Sequence, residues 1–434
     1  MTTTLASALS VFSNWLPSTD RWFKTLDILG RSLSPVVQGG MGVGVSAHRL
    51  AGAVARENAI GTIASIDLRH HHPDLLEQTE KSRDRDLIDR VNLIALDREI
   101  QAALLHAQGR GLIAVNVMKA VRDHPALVRQ ACESGAHAIV MGAGLPIDLP
   151  DMVSDYPKVG LIPILSESRG VAIVMKKWLK KGRCPDAIVI EHPGYAGGHL
   201  GAVKIEDIHA ERFEFERVIA ECHAIFTELG LGQDAPPLIL AGGIDSHEKV
   251  RYWLNAGADA VQLGTAFAVS EEGDAHIDFK RVLLGAIPSK MVELMSVAGL
   301  PMRAVSTHWL RQYQRQEPTM QASAKADPRR CSQRMDCLTH CGLRDGNSKA
   351  GQFCIDLKLV AALKGDVQKG LFFRGAGRLP FGDSIRPVKD LIEYLLHGHS
   401  RQASATQEPD LPPCFSKSLT PSITMPRSMA LSMS

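Results

Sequence analysis

The feature that most constrains the fold is a series of eight short, β-branched apolar runs separated by longer segments of helical character. Such alternation is typical of repeated βα units around a parallel sheet. The runs occupy residues 36–38, 61–64, 112–117, 138–141, 161–165, 187–191, 238–241 and 260–263. They predict an α/β fold, a (β/α)8 TIM barrel, with a doubly wound open sheet as the structural alternative.

Helices are predicted between these strands, several of them opened by a serine or aspartate that can cap a helix. They cover residues 46–57, 125–134, 168–180, 205–228 and 246–256. The sequence predicts four regions. Residues 1–30 are expected to form an N-terminal cover segment of one or two helices, and residues 31–310 to form the barrel. Residues 311–398 are expected to form a Cys-containing helical extension packed on the barrel, and residues 399–434 a disordered tail rich in Ser, Pro and Thr.

Composition excludes several classes of protein. The 434 residues are 45% hydrophobic and carry a formal net charge of +2, so the chain can bury a large core without attracting nucleic acid or anionic lipid. The first residues lack the basic start of a secretory signal, and no apolar run is long enough to cross a membrane. We expect a cytoplasmic protein with neither nucleic acid nor membrane as partner. The sequence leaves its oligomeric state open.

Six of the predicted strands lead directly into glycine-rich or polar loops. In a TIM barrel the active site is built from the loops at the C-terminal ends of the strands. The loops that follow the last two strands carry Ala241-Gly242-Gly243 and Leu263-Gly264-Thr265, and this position commonly binds phosphate. A phosphate-bearing cofactor is therefore predicted. The glycine spacing in residues 39–44 matches neither the dinucleotide fingerprint nor the P-loop.

Several stretches together resemble one flavoenzyme family. They are "PVVQGGMGVGVSAHRLAGAVARENAIGTIAS", "VNVM", "GAGLP", "PDAIVIEHPGYAGGHLG", "LILAGGID" and "GADAVQLGTAF". In chain order, from Pro35 to Val305, they are similar to the FMN-dependent nitronate monooxygenases, formerly called 2-nitropropane dioxygenases. That family is related to flavin-dependent enoyl-acyl-carrier-protein reductases and NAD(P)H:quinone reductases.

The resemblance implies an FMN-binding TIM barrel and assigns residues to it. His199 matches the histidine of the family's A-G-G-H motif and is the candidate catalytic residue. Gly197 and Gly198 would let the backbone approach a flat ring. The candidate cofactor-binding residues are Gly40 and Met41 against the isoalloxazine, Asn116 and Gly198 near the flavin, and Gly242, Gly243, Gly264 and Thr265 around the phosphate, with Gln262 nearby.

The same resemblance implies oxidation of alkyl nitronates by molecular oxygen. A histidine near the flavin can exchange a proton close to neutral pH, so His199 would be the base for a neutral nitroalkane. The glycine loops serve equally well an enzyme that takes hydride from NAD(P)H and reduces an enoyl thioester or quinone. A third hypothesis is a non-catalytic module in which a metal-bound cysteine segment, with Arg329, Arg330 and Arg334, docks a partner or nucleic acid.

Four cysteines crowd into the predicted extension. Cys331, Cys337, Cys341 and Cys354 are spaced x5, x3 and x12, without the usual C-x2-C pair. The last three spacings resemble the cluster loop of barrel flavoenzymes of the dienoyl-CoA reductase type. An iron–sulfur cluster, a zinc site and unligated packing thiols all remain open.

Other polar residues are weaker candidates. The run His70-His71-His72 could suggest a metal site, but adjacent histidines rarely converge on one ion, so a solvated or substrate-facing loop is favoured. Ser166 and Glu191 follow the fifth and close the sixth strand and are candidates to line the pocket, without an assigned role.

Overall fold

The computed structural model describes residues 22–331 and 336–398. The strands are β1 (Leu26–Ile28), β2 (Arg31–Leu33), β3 (Val36–Gln38), β4 (Ile60–Ala64), β5 (Leu112–Met118), β6 (Ala138–Gly142), β7 (Gly160–Leu165), β8 (Ile188–Glu191), β9 (Gly198–His199), β10 (Leu238–Ala241), β11 (Ala260–Leu263), β12 (Met291–Met295) and β13 (Pro301–Val305). The helices are α1 (His48–Arg56), α2 (Pro73–Thr79), α3 (Arg85–Ala107), α4 (His124–Glu133), α5 (Leu149–Met152), α6 (Ser168–Leu179), α7 (Phe215–Glu228), α8 (His247–Asn255), α9 (Thr265–Ala268), α10 (Ile277–Leu284), α11 (His308–Ala322), α12 (Gly342–Asp345), α13 (Ile355–Leu363) and α14 (Val388–His397).

The eight predicted runs form a closed parallel barrel, which confirms the TIM-barrel prediction over the open sheet. Its order is β10-β11-β3-β4-β5-β6-β7-β8, and β8 pairs with β10 to close it. Side chains alternate across the barrel wall, as strand geometry requires. In β5, Leu112 and Ala114 join the interior cluster, whereas Ile113 and Val115 pack with the surrounding helices. No helix in the described residues is long and apolar enough to cross a membrane.

The N-terminal segment differs from the one or two helices predicted for it. The described part of this segment forms a β-hairpin of β1 and β2. Leu29 and Gly30, at the turn, both have positive φ, as two-residue hairpin turns favour. Leu26 and Leu33 are buried in the cluster that fills the barrel interior, with residues from the starts of the barrel strands. The hairpin thus closes the base of the barrel. Residues 1–21 lie outside the described residues, as does the predicted tail 399–434.

The helix predicted for residues 205–228 is also wrong in its first half. Two short 3-10 turns, Ile205–Asp207 and Glu211–Phe213, precede α7. Glu214 is extended, with ψ of 130°, and interrupts the helix. This break lets Phe213 bury under the loop after β9 while Phe215 buries against the barrel. Burial of both aromatic rings therefore overrides the local helical pattern.

The chain after the barrel adds a second sheet and a packed wall. β12 and β13 form an antiparallel hairpin, and β13 also pairs with β9 in the loop after β8. α13 and the Leu371–Phe373 stretch pack beside this sheet in one hydrophobic cluster. The amphipathic α14 buries Leu391 and Leu395 against α1 and α8 of the barrel. Of these elements, β9, α13 and the stretch with Leu371 and Phe373 lie at the end of the barrel where the strands terminate.

Candidate active site

A cavity of about 300 Å³ opens at the C-terminal end of the barrel. The loops after β3, β5, β6, β8, β10 and β11 all contribute to it, as barrel geometry requires of an active site. Every residue proposed for catalysis or flavin binding lines it. These residues are Gly40, Met41, Asn116, Gly198, His199, Gly242, Gly243, Gln262, Gly264 and Thr265.

The histidine loop is held by pairing outside the barrel. Gly198 and His199 form β9 and pair with Arg303 and Met302 of β13. The Leu200 amide then donates to the Pro301 carbonyl at 2.8 Å. Gly198 has φ of +75°, a conformation that favours glycine, and Phe373 packs directly over it. The glycines of the motif thus shape the loop so that His199 reaches the cavity.

Arg303 ties this loop to the second sheet. Its guanidinium is 1% exposed and donates to the carbonyl oxygens of Pro193, at 3.2 Å, and Ala196. The other side of the same group bonds Glu293 at 2.6 and 2.9 Å. One buried side chain therefore fixes two points of the loop that precedes His199. Sequence reasoning missed this residue, because the two carbonyl groups that it binds lie about a hundred residues away along the chain.

His199 has a ring nitrogen available to a ligand. Its Nε2 atom is buried and has no hydrogen-bond partner in the described part of the chain. The ring lies edge-on to Phe373, with 5.8 Å between centroids. Burial lowers the pKa of the imidazole to about 4, and among the described residues no carboxylate offsets this shift. At neutral pH His199 is therefore uncharged and can donate one ring N–H.

Glu191 is a second ionisable group in the cavity wall. It ends β8, where it pairs with Ala241 of β10. Burial raises the pKa of this carboxyl to about 7, and no cation in the part of the chain that the structure describes offsets this shift. The cavity thus holds a histidine and a glutamate whose pKa values are displaced in opposite directions. The strand-end position indicated Glu191 as a lining residue, but its environment could not be derived from the sequence.

The unfolding free energy should depend on the protonation of Glu191. The pKa of Glu191 is higher in the folded chain than its ordinary value of 4.5. The protonated carboxyl therefore stabilises the folded chain fully below about pH 4.5, and this stabilisation is lost as pH rises through about 7. The shift corresponds to about 3 kcal/mol. We expect urea unfolding of FMN-free Glu191→Gln to show a flatter pH profile over this window than wild type. Superimposable profiles would contradict this environment for Glu191.

One end of the cavity, which we call the glycine end, is built from three segments: the loops after β10 and β11 and the extension around Gly375. Gly242 and Gly243 have φ of +106° and +72°, and a side chain at Gly243 would meet the Tyr195 ring. The hydroxyl of Thr265 accepts a hydrogen bond from the Gly375 amide at 3.1 Å, which brings the extension to this end. Asp245 accepts from the Arg378 amide and pairs with Lys249, each at 2.8 Å. Its charge is therefore balanced.

The four clustered cysteines are free thiols. Cys337 lines the cavity, and burial, followed by nearby acidic groups, raises the pKa of its thiol well above the usual value. Cys337 and Cys341 pack in the hydrophobic cluster of the extension. Across residues 22–331 and 336–398 no three His, Cys, Asp or Glu side chains are arranged to hold a metal ion. Of the neighbouring arginines, Arg329 pairs with Asp327, and Arg334 lies outside the described residues.

The loop of adjacent histidines has a structural role, contrary to the predicted solvated or substrate-facing loop. His70 bonds Asp67 at 3.0 Å, and His71 donates to the Gly44 carbonyl at 2.8 Å. His72 lies 3.0 Å from Glu99, which also bonds His48. Each of these histidines has a polar partner within 3.0 Å, and His71 ties the loop to the segment that follows β3.

Glycine loops and an uncharged histidine, whose Nε2 atom has no partner among the described residues, meet at the strand ends of this barrel. This arrangement is typical of TIM-barrel enzymes with a cofactor site at that end. The nitronate monooxygenase family model matches residues 28–398. The chain therefore belongs to the nitronate monooxygenase family and is an FMN-dependent oxidoreductase. This membership makes the third, non-catalytic hypothesis wrong.

Individual relatives agree with this assignment. A probable nitronate monooxygenase of Bacillus subtilis is 27% identical over 64% of this chain and 77% of its own. The nitronate monooxygenase of Pseudomonas aeruginosa is 23% identical over 66% and 80%. Among solved structures, FabK from Thermotoga maritima has a TM-score of 0.57 at 22% identity, covering 83% of this chain and 91% of its own. A nitroalkane oxidase from Streptomyces ansochromogenes has a TM-score of 0.55 at 20% identity, covering 83% and 94%. At 22% and 20% sequence identity, these two structures show that the fold is shared, and nothing more specific.

Proposed function

We propose that the protein oxidises alkyl nitronates with molecular oxygen, using FMN held in the glycine-lined cavity. The observation that carries this proposal is the buried Nε2 atom of His199, which has no hydrogen-bond partner in the described residues and lines the cavity. Such an atom is costly to bury unless a ligand satisfies it. Its position in a chain of the nitronate monooxygenase family favours a nitro group as that ligand.

The residues present are compatible with FMN. The cavity volume falls in the range of cofactor sites, roughly 300–1,000 Å³. Glycine at position 40 allows Asn116 to approach, since a Cβ there would lie 2.3 Å from the Asn116 Cβ. Thr265 uses its hydroxyl oxygen as an acceptor for Gly375, so its proton remains available to a phosphate oxygen. The residues that would hold FMN are Gly40, Met41, Asn116, Gly198, Gly242, Gly243, Gln262, Gly264 and Thr265.

Bound FMN supplies a two-electron acceptor that oxygen can regenerate. The protein's own residues bind and orient the nitronate. Neutral His199 donates its ring N–H to a nitro oxygen, where a nitronate carries negative charge. The lowered pKa also makes His199 a weak base, which disfavours proton removal from a neutral nitroalkane. An already deprotonated nitronate is therefore the substrate form that this histidine suits best.

The test uses the purified holoprotein under anaerobic conditions. One cuvette receives propyl-2-nitronate and another receives NADPH or NADH, with free FMN in buffer as the control. We expect the nitronate to bleach the visible flavin spectrum and oxygen to restore it. If only NADPH or NADH bleached the flavin, the proposal would be wrong, and the protein would instead be a reductase of an enoyl thioester or quinone. A protein that binds no flavin after reconstitution would contradict both.

A further inference from the structure

The extension lines the glycine end of the cavity with a short backbone segment, residues 374–378, which we call the strap. The Ala376 amide donates to the Tyr195 carbonyl at 3.0 Å, in the loop after β8. The Arg378 amide donates to the Asp245 carboxylate at 2.8 Å, in the loop after β10. Since β8 and β10 are neighbours in the barrel, the strap joins two adjacent loops of the site.

The strap also sets the direction of the Thr265 hydroxyl, in the loop after β11. The Gly375 amide donates to the oxygen of this hydroxyl at 3.1 Å. Because an N–H group occupies that side of the oxygen, the hydroxyl proton points elsewhere and can serve a second acceptor. The strap lies close against the histidine loop, since a Cβ at Gly197 would be 2.5 Å from the Arg374 carbonyl carbon. The position of Gly375 therefore decides where Thr265 presents its proton.

Arg374 braces the strap with a buried side chain. It is 4% exposed, and its Nε atom donates to the Leu283 carbonyl of α10 at 3.0 Å. A terminal nitrogen of the same group donates to the carbonyls of Gly375 and Gly377, at 2.9 and 3.1 Å. A guanidinium has the planar set of donors that such a bridge needs. Arg374 thus fixes the turn of the strap and ties it to α10.

We propose that Arg374 is a positioning residue of the cofactor site, and that through Gly375 and Thr265 it makes the protein select FMN over flavins without a phosphate. This inference rests on the flavin site of the proposed function. The strap bonds the loops after β8, β10 and β11, at the end of the cavity where phosphate binding is expected. The flavin ring is assigned instead to Gly40 and Met41, in the loop after β3. Loss of the brace should therefore weaken the phosphate contact and spare the ring.

The test is titration of the whole chain, freed of flavin, with FMN and with riboflavin, followed by quenching of flavin fluorescence. For Arg374→Gln we expect the FMN dissociation constant to rise by about tenfold or more, the effect of losing a hydrogen bond to a charged group. The riboflavin constant should change much less, because riboflavin has no phosphate. Arg281→Gln is the matched control, because Arg281 lies on α10 with Leu283 but is 68% exposed and pairs with Asp278. Its affinities should equal those of wild type.

Two further variants sharpen the test. Arg374→Lys keeps the positive charge without the planar fork, so its FMN affinity should stay low. If Arg374→Gln fails to fold, Gly377→Ala takes its place, because a Cβ at Gly377 would lie 2.9 Å from the Asp245 carboxylate and displace the strap. Gly377→Ala should also weaken FMN more than riboflavin.

Equal weakening of FMN and riboflavin would overturn the inference, because it would show a general loss of structure. Recovery of FMN affinity in Arg374→Lys would overturn it too, since the charge alone would then suffice. A phosphate-dependent loss in a protein whose flavin no nitronate reduces would reject the proposed function and retain the role of Arg374. Nitronate oxidation by a protein whose FMN affinity does not depend on Arg374 would overturn this inference alone.

Discussion

Replacement of His199 by asparagine is expected to lower nitronate turnover by about 10²-fold or more while FMN stays bound. The shorter amide cannot reach the position of the Nε2 atom, so the nitro group loses a preorganised donor. The flavin should remain because the glycine loops that line the other side of the cavity are unchanged. The measurements are kcat with propyl-2-nitronate and the flavin-to-protein absorbance ratio.

His223→Asn is the matched control for this variant. His223 is exposed on α7 and makes no contribution to the cavity. Its turnover and flavin content should equal those of wild type. If His199→Asn retained wild-type turnover with every nitronate tested, His199 would have no part in the reaction and the proposed function would lose its main support.

The second large effect is expected for Arg303→Gln. This change removes the buried guanidinium that bonds Pro193, Ala196 and Glu293. Two carbonyl oxygens would lose a donor, and Glu293 would lose its ion pair. Because Glu293 is partly exposed, we expect the free energy of unfolding to fall by about 3 kcal/mol, near the low end for a broken buried pair. Turnover should fall too, since the histidine loop loses its anchor.

Urea unfolding and kcat measure these two consequences separately. Arg315→Gln is the control, because Arg315 is exposed on α11 and should change stability by less than about 0.5 kcal/mol. A reduced stability with unchanged turnover would show that the loop keeps its conformation without Arg303. An unchanged stability would contradict the role of Arg303 as a buried tether.

The barrel could be predicted because its signals are local. Each barrel strand is a short apolar run ended by glycine or a polar residue, and β3, β10 and β11 have the predicted bounds. The N-terminal hairpin also had a local signal, Leu26, Ile28 and Leu33 around a Leu-Gly turn, but its strands have only three residues each. Runs this short are ambiguous between strand and helix.

The site was predictable only in part, for a related reason. Glycine loops and the A-G-G-H motif indicated which barrel residues meet at the cavity. Phe373 and Leu338 reach it through pairing with Ala304 and Val121, which lie far away in the sequence. The pKa of Glu191 depends on burial by all these segments together. Such properties arise only when the extension has packed on the barrel.

This arrangement has a consequence for synthesis of the protein. The cavity needs Leu338, Phe373 and Gly375, yet the barrel itself is complete at β11, more than a hundred residues earlier than Gly375. A nascent chain could thus close its barrel on the ribosome before its flavin site has all its walls. We expect stable flavin capture to be a late event in biogenesis, and flavin content to report whether a chain has been translated and folded through its extension.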